Sequence, residues 1–348
     1  MRAHFGIAVL LLGLTGLAPA GWAQLAPSPD ESPVSNAPAP VADETAVATL
    51  KVNVNLVDLF FTVKDKNGEL VPHLTKNDCT VTEDKAPQTL KSFVAETSQP
   101  LTLGILLDTS GSQQNVLPLE QDAGTQFLER VLKPKDEAFL LSFDVNVDLL
   151  QDYTNSARML GRAMRKAEIN TAGGGGGGIP GAGGGTIPSI GGPRGTVLYD
   201  AVYLAANEKM NQETGRKAMI LLTDGEDEGS RKKIGEAIAA AQRSNAIIYV
   251  ILIADRGFYG GFGYFGYSAM KRMTEETGGR LIDVGNNGKK LDAAFQQIEE
   301  ELRTQYVATY TPSNSKMDGT FRRISVECRG DGMKVQARKG YFAPAPEN

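Results

Sequence analysis

Histidine, cysteine and tryptophan are nearly missing from this chain, at two, two and one residues. His4 stands in the apolar N-terminal stretch and His73 in a segment that reads as a turn between strands, so a Ser-His-Asp relay has no imidazole in the larger part of the chain. There is no HExxH pair, no GxSxG elbow and no Walker lysine behind a glycine loop. Beyond the N-terminus no run is apolar enough to span a bilayer. Charge of one sign is lacking too. Lys and Arg number 36 against 41 Asp and Glu, for a net charge of −5, which gives no electrostatic reason to expect nucleic acid.

What is present begins with a secretion signal. Arg2, the apolar residues 5–18 and the small-x-small site Gly21-Trp22-Ala23 before Gln24 have the three parts of a cleavable leader, assigning 1–23 to a signal peptide. The mature chain is expected to be exported, periplasmic or extracellular, with no stable membrane span after cleavage. Residues 24–49 are rich in Pro, Ala and Ser, carry acids but no Lys or Arg, and read as a disordered tether. Cys79 and Cys328 sit near opposite ends of the mature chain. In an oxidising compartment they form either one disulfide or two buried thiols, and spacing alone does not choose between these.

Residues 50–98 alternate apolar and polar residues through Val52, Val54, Leu56 and Leu59–Val63, with a hairpin turn at Asp65-Lys66-Asn67-Gly68. From Leu101 the rhythm changes to strands and helices in alternation. Strands are expected at 101–107, 137–143, 217–223, 246–253 and 280–284. Helices are expected at 117–132, 155–168, 197–211, 230–244, 268–277 and 290–303, the last with Leu291, Phe295, Ile298 and Leu302 on one face. The region 304–348 turns β-rich again. The expectation is an α/β fold: a doubly wound, mostly parallel sheet over 99–303, with a small β-sandwich-like flank built from both chain ends, 50–98 and 304–348.

Three segments carry the chemistry. Asp108-Thr-Ser110-Gly-Ser112 ends the apolar strand Leu101–Leu107, Thr196 precedes a helix, and Asp224 ends the apolar strand Met219–Thr223. Carboxylates and hydroxyls are hard oxygen donors of the kind preferred by Mg²⁺ or Mn²⁺. In this order, DxSxS, T and D, the segments resemble the complete metal-ion-dependent adhesion site of von Willebrand factor type A domains. That resemblance implies a von Willebrand A or Rossmann-like fold and a metal site of Asp108, Ser110, Ser112, Thr196 and Asp224. The cation implied is Mg²⁺, with Mn²⁺ or Ca²⁺ as alternatives. Residues 74–84 and 335–344 further resemble the secreted bacterial VWFA-related acidobacterial domain family, with Cys79 standing where that pattern has an aromatic residue.

The function so implied is an exported, metal-dependent adhesion-type module, whose cation recruits an acidic side chain of a partner protein. Two alternatives stand beside it: an envelope or assembly scaffold with a purely stabilising metal, and a metal-dependent hydrolase. A catalytic role has little support, since the acid phosphatases of the haloacid dehalogenase kind carry a second Asp where this chain has Ser110. Nucleotide binding has little as well. Gly261-Phe-Gly-Tyr-Phe-Gly266 matches GxGxxG but lies too far from the preceding strand to cradle a pyrophosphate.

Three flanking stretches have two readings each. Glu226-Asp227-Glu228 is either a solvated helix start or a cluster that holds a second cation or tunes which partners approach, though Gly235 stands where an EF-hand needs its closing Glu. The glycine-rich loop 171–195 is either a neutral insertion or a flap. The aromatics Phe258, Tyr259, Phe262, Tyr264 and Phe265 are either partner contacts or rings folded back on their own domain.

Overall fold

A computed structural model describes residues 56–95, 99–169, 195–254 and 266–345. All of them fall in one compact unit, Asn53–Asn348. The expected leader, the tether, all of the glycine-rich loop except Gly195, and the aromatics from Phe258 to Phe265 lie outside the described residues.

The chain runs through β1 (Val57–Lys64), β2 (Cys79–Glu83), β3 (Ala86–Pro87) and β4 (Leu90–Ala95). The alternating part follows as β5 (Leu101–Asp108), α1 (Leu117–Val131), β6 (Glu137–Phe143), β7 (Val147–Thr154), α2 (Ala157–Met164) and α3 (Leu198–Leu204). It continues as β8 (Arg216–Thr223), α4 (Ile234–Arg243), β9 (Ala246–Leu252), α5 (Gly266–Thr277), β10 (Leu281–Asp283) and α6 (Gly288–Arg303). Four strands close the chain: β11 (Tyr306–Tyr310), β12 (Phe321–Cys328), β13 (Lys334–Ala337) and β14 (Gly340–Phe342).

The central sheet has the order β10-β9-β8-β5-β6-β7 and is parallel except for β7, which runs antiparallel to β6. All eight residues of β5 are buried, as its unbroken apolar run requires of a strand covered on both faces. Leu101, Leu103, Ile105 and Leu107 meet α1, α2 and α6, while Leu106 looks into the opposite cluster formed with α3, α4 and α5. Gly104 lets the second layer close on the strand, since a Cβ there would stand 2.6 Å from the Phe139 ring and 3.1 Å from Met210.

Two elements differ from the sequence expectation. β7 is an edge strand whose alternation is diluted by Asp148, Gln151 and Asp152, so it has no apolar run to announce it. The helix expected over 197–211 is α-helical only as α3. Residues 205–209 then widen into a π turn and 210–212 tighten into a 3₁₀ turn, which brings Met210 into the core.

The chain ends build two further antiparallel sheets, β13-β1-β11-β4 and β14-β12-β2-β3. Leu59, Phe61, Val81, Tyr306, Tyr310, Ile324 and Tyr341 fill the layer between them. Each sheet mixes strands from both ends: β1 lies between β11 and β13, and β2 pairs with β12. Cys79 and Cys328 stand opposite each other in that last pair and are joined by a disulfide. A polar knot sits inside this sandwich. Buried Glu83 accepts hydrogen bonds from Tyr310 (2.9 Å) and Tyr341 (3.0 Å) and lies 3.4 Å from the Arg322 guanidinium. Arg322 also donates to the carbonyls of Asn314 and Lys316.

The sandwich is held to the α/β part through Glu301 of α6, which is fully buried. Its Oε1 lies 2.9 Å from Lys64 Nζ and 2.9 Å from Arg280 Nε, and its Oε2 accepts from Gln336 at 3.1 Å. Arg216 at the start of β8 donates to the carbonyls of Gln99, in the segment before β5, and of Leu302 in α6, bracing the α/β part where the chain enters and leaves it.

Candidate functional site

The strand order places a topological switch point at β5: the chain leaves it for β6 on one side and returns as β8 on the other. Loops diverge above the C-terminal ends of such strands, which is where doubly wound sheets bind ligands. Asp108 is the last residue of β5 and Asp224 directly follows β8, so both acids reach this end because their strands are in register.

Asp108 is fully buried, and both its oxygens are engaged. Oδ2 accepts from Thr223 Oγ1 at 2.6 Å, and Oδ1 from the Ser110 backbone N–H at 3.0 Å. Burial first, and then the neighbouring charge of Asp224, push its carboxyl up to about 7. Ser110 Oγ lies 3.0 Å from Ser112 Oγ, hydroxyl against hydroxyl. Asp224 Oδ1 accepts from the Glu226 N–H at 3.1 Å and is itself buried. Thr196 is buried, and its carbonyl accepts from the Glu228 N–H at 3.1 Å, tying the segment before α3 to the loop after β8.

Two buried groups near these acids were not foreseen from the sequence. Glu120, in the first turn of α1, is fully buried, and neither of its carboxyl oxygens has a hydrogen-bond partner. Burial, with smaller contributions from Asp108 and Asp224, holds it well above the usual carboxylate range. Gln113 is also fully buried with its amide unpaired. An acid in a first helical turn ordinarily reads as an exposed complement to the helix dipole. Only the packing of α1 beneath the strand ends turns it inward. Thr223 was likewise missed, being hidden in an apolar strand whose last side chain reaches across to Asp108.

The acidic run after Asp224 has a structural use that differs from both sequence readings. Asp227 accepts from the Tyr199 N–H at 3.0 Å and from Ser230 Oγ, so it caps α3. Glu226 accepts from the Gly266 N–H at 2.9 Å at the start of α5. Asp200 reciprocates by accepting from the N–H groups of Arg231 and Lys232, at 3.0 and 2.8 Å. The helix after this run begins at Ile234, so these acids cap two other helices of the same layer.

The metal reading is corrected by this arrangement. Among the described residues no three His, Cys, Asp or Glu side chains gather in a group that could hold a metal ion. Asp108 is committed to Thr223 and to a backbone N–H, with its carboxyl raised toward neutrality. The expectation of a complete adhesion-type metal site with Mg²⁺, Mn²⁺ or Ca²⁺ therefore falls. With it fall the cation-recruited acidic partner, the metal-stapled scaffold and the metal-dependent hydrolase. Asp108, Ser110, Ser112, Thr196 and Asp224 remain as the polar framework of the sheet's C-terminal end.

No helix among the described residues is long and apolar enough to cross a membrane. No protein-family model matches the chain, which leaves the resemblance to the VWFA-related acidobacterial family without support, and no curated protein matches its sequence. Solved structures do show likeness at low identity. The BatB protein of Bacteroides thetaiotaomicron, described as a conserved hypothetical protein, is 18% identical over 58% of this chain and 99% of its own, with a TM-score of 0.43. The von Willebrand domain of the type V pilus tip protein Mfa5 from Porphyromonas gingivalis is 13% identical over 60% of this chain and 96% of its own, at 0.45. Proximal thread matrix protein 1 of the mussel byssus is 17% identical over 64% of this chain, also at 0.45, and the chain spans about half (51%) of that protein. A further structure of the mussel protein is described with a zinc-occupied adhesion motif, a property of that protein. None of the neighbours named here is described as an enzyme.

Proposed function

We propose that the protein is an exported, non-catalytic binding module that presents the loops at the C-terminal end of its central sheet to a macromolecular partner. The bracing of those loops carries this reading. Asp108, Asp200, Asp224, Glu226 and Asp227 each accept hydrogen bonds from loop or helix-start N–H groups. A surface ordered before contact loses less conformational freedom on binding. Above this frame Gly111, Gln114 and Asn115 are exposed and Ser112 half-exposed, so the rim is polar and reachable. The Ser110 hydroxyl is shared between the Ser112 hydroxyl at 3.0 Å and the Asp108 carboxyl, so it belongs to the hydrogen-bonded frame beneath the rim. Export is supported by the leader pattern of residues 1–23 and by the disulfide, which belongs to an oxidising compartment.

The test is a photo-crosslinking residue in place of Gln114 in the full chain, expressed in its own host. A discrete adduct in the exported fraction, on a chain starting at Gln24, is expected. EDTA should change neither the adduct nor the melting temperature. Absence of any adduct overturns the binding face. Turnover of ester or phosphate substrates that Asp108→Asn abolishes overturns the non-catalytic reading. A melting temperature that rises with Mg²⁺ in the parent and not in Asp108→Ala overturns the metal-free reading.

A further inference from the structure

Three hollows on one side of the molecule meet around Lys339. One of about 630 Å³ lies over the outer face of the sheet β14-β12-β2-β3, and one of about 420 Å³ lies along the exposed face of α5. The third, of about 790 Å³, lies where the sandwich meets α5 and β10. Lys339 lines all three and Glu276 the first two, so they form one groove. Lys85, Arg323, Lys334 and Lys339 are exposed along it and enter no ion pair among the described residues. This reverses the sign of the chain as a whole, whose net charge is −5.

The lining has an order that plain surface lysines would lack. β12 exposes every second residue, so Phe321, Arg323 and Ser325 stand in one row at steps of about 7 Å. The row presents a ring, a cation and a hydroxyl, and Thr82 sets a second hydroxyl opposite Ser325. Phe321 is steadied edge-on by Phe342, at 5.1 Å, and keeps 36% of its surface exposed. A second ring, Tyr267 at the start of α5, is 45% exposed and lines the other two hollows. The backbone bordering the groove is already engaged. The Gly278–Gly279 turn packs on the backbone of Ala337 and Arg338. Lys339 donates its N–H to the Glu276 carbonyl at 3.1 Å, and its own carbonyl accepts from Ile324 at 2.9 Å. Recognition here falls to side chains, which leaves an added peptide strand no edge to pair with.

We propose that this groove binds an acidic oligosaccharide, a chain of uronate sugars whose ring faces rest on Phe321 and Tyr267 and whose carboxylates meet Arg323, Lys339 and Lys85. One uronate unit offers the three chemistries that the β12 row presents. Its C–H face carries slight positive charge and suits the negative face of an aromatic ring. Its carboxylate pairs with a cation through charge-assisted hydrogen bonds. Its hydroxyls are both donors and acceptors, so Thr82 and Ser325 can bond them and Glu275 and Glu276 can accept from them. A phosphodiester chain has few such donors and would meet those two acids mainly as like charge. This surface is separate from the C-terminal end of the central sheet, and its contacts need no metal.

The test is fluorescence anisotropy of the full chain, in EDTA, with a labelled galacturonate hexamer. The controls are its methyl ester, hexaglutamate and hexauridylate. Saturable binding is expected, weakened at least tenfold by esterification, by Tyr267→Ala and by the double substitution Arg323→Glu, Lys339→Glu. All three residues are exposed, so both variants should fold, which circular dichroism checks. Gln114→Arg should leave the affinity unchanged, and a loss there would move the ligand to the rim of the central sheet and overturn the groove. No saturable binding of the hexamer overturns the proposal. So does binding that survives esterification, the loss of the ring or the charge reversal. Equal binding of hexaglutamate or hexauridylate overturns it too, since either would mark a general polyanion effect.

Discussion

At the scale of single residues the C-terminal end of the central sheet is dominated by desolvation. Asp108 and Glu120 are both fully buried, and both are displaced upward, with burial the largest cause. Glu120 has no hydrogen-bond partner for either oxygen. Leaving a buried polar group unsatisfied costs about 1–3 kcal/mol, so Glu120→Met, close in volume and apolar, should stabilise the fold by roughly that amount. The pH dependence has a definite sign. A carboxyl whose folded value is raised keeps its proton in the native state after the unfolded chain has lost its own. Stability is therefore full below the unfolded value and falls as pH rises toward the folded one. For Asp108 that window runs from about 4 to about 7, and Glu120 adds a loss of the same sign. The advantage of Glu120→Met should accordingly widen from pH 5 to pH 8 in urea unfolding. A variant that is less stable than the parent at every pH would show that the carboxyl has a partner its surroundings do not reveal.

Among elements, the join between α6, β1, β13 and the segment before β10 rests on Glu301. Its carboxylate meets Lys64 from β1, Arg280, and Gln336 from β13. Removing one partner of a buried ion pair strands the other charge and costs about 3–5 kcal/mol. Glu301→Gln is expected to lower stability by that order, while the exposed pair Lys271–Glu275, at 4.0 Å, should contribute under about 1 kcal/mol. Thermal unfolding of Glu301→Gln and Glu275→Gln side by side checks the contrast, and equal small effects would mean that the sandwich does not depend on this anchor. The same scale shows what hid β7 and shortened α3. Both depend on neighbours: β7 on its pairing with β6, and the widened turn after α3 on the room that Gly104 leaves for Met210.

For the whole molecule, the disulfide joins positions 249 residues apart, closing a loop that contains the entire α/β part. Cross-links of long loops act largely on the unfolded chain, with measured effects of roughly 2–5 kcal/mol. Cys79→Ser with Cys328→Ser should lower the urea midpoint by a corresponding amount with little change in native circular dichroism. An unchanged midpoint would show that strand pairing between β2 and β12 alone sets the stability of the sandwich.

The sequence by itself determined the alternation of strand and helix, the burial of β5, and the placing of Asp108 and Asp224 at strand ends. Hydrophobic period and strand register are local properties, and they carry those features. It also showed that both chain ends are β-rich. Only the tertiary structure decided what the acids do. The run Glu226-Asp227-Glu228 had two readings until α3 and α5 were found to start beside it, and the metal reading of Asp108 ended with Thr223 across the strand. Whether an oxygen faces a cation, an N–H or another hydroxyl depends on which elements converge on it. That convergence is set by packing between residues over a hundred positions apart, such as Asp108 and Thr223, which no local spacing records.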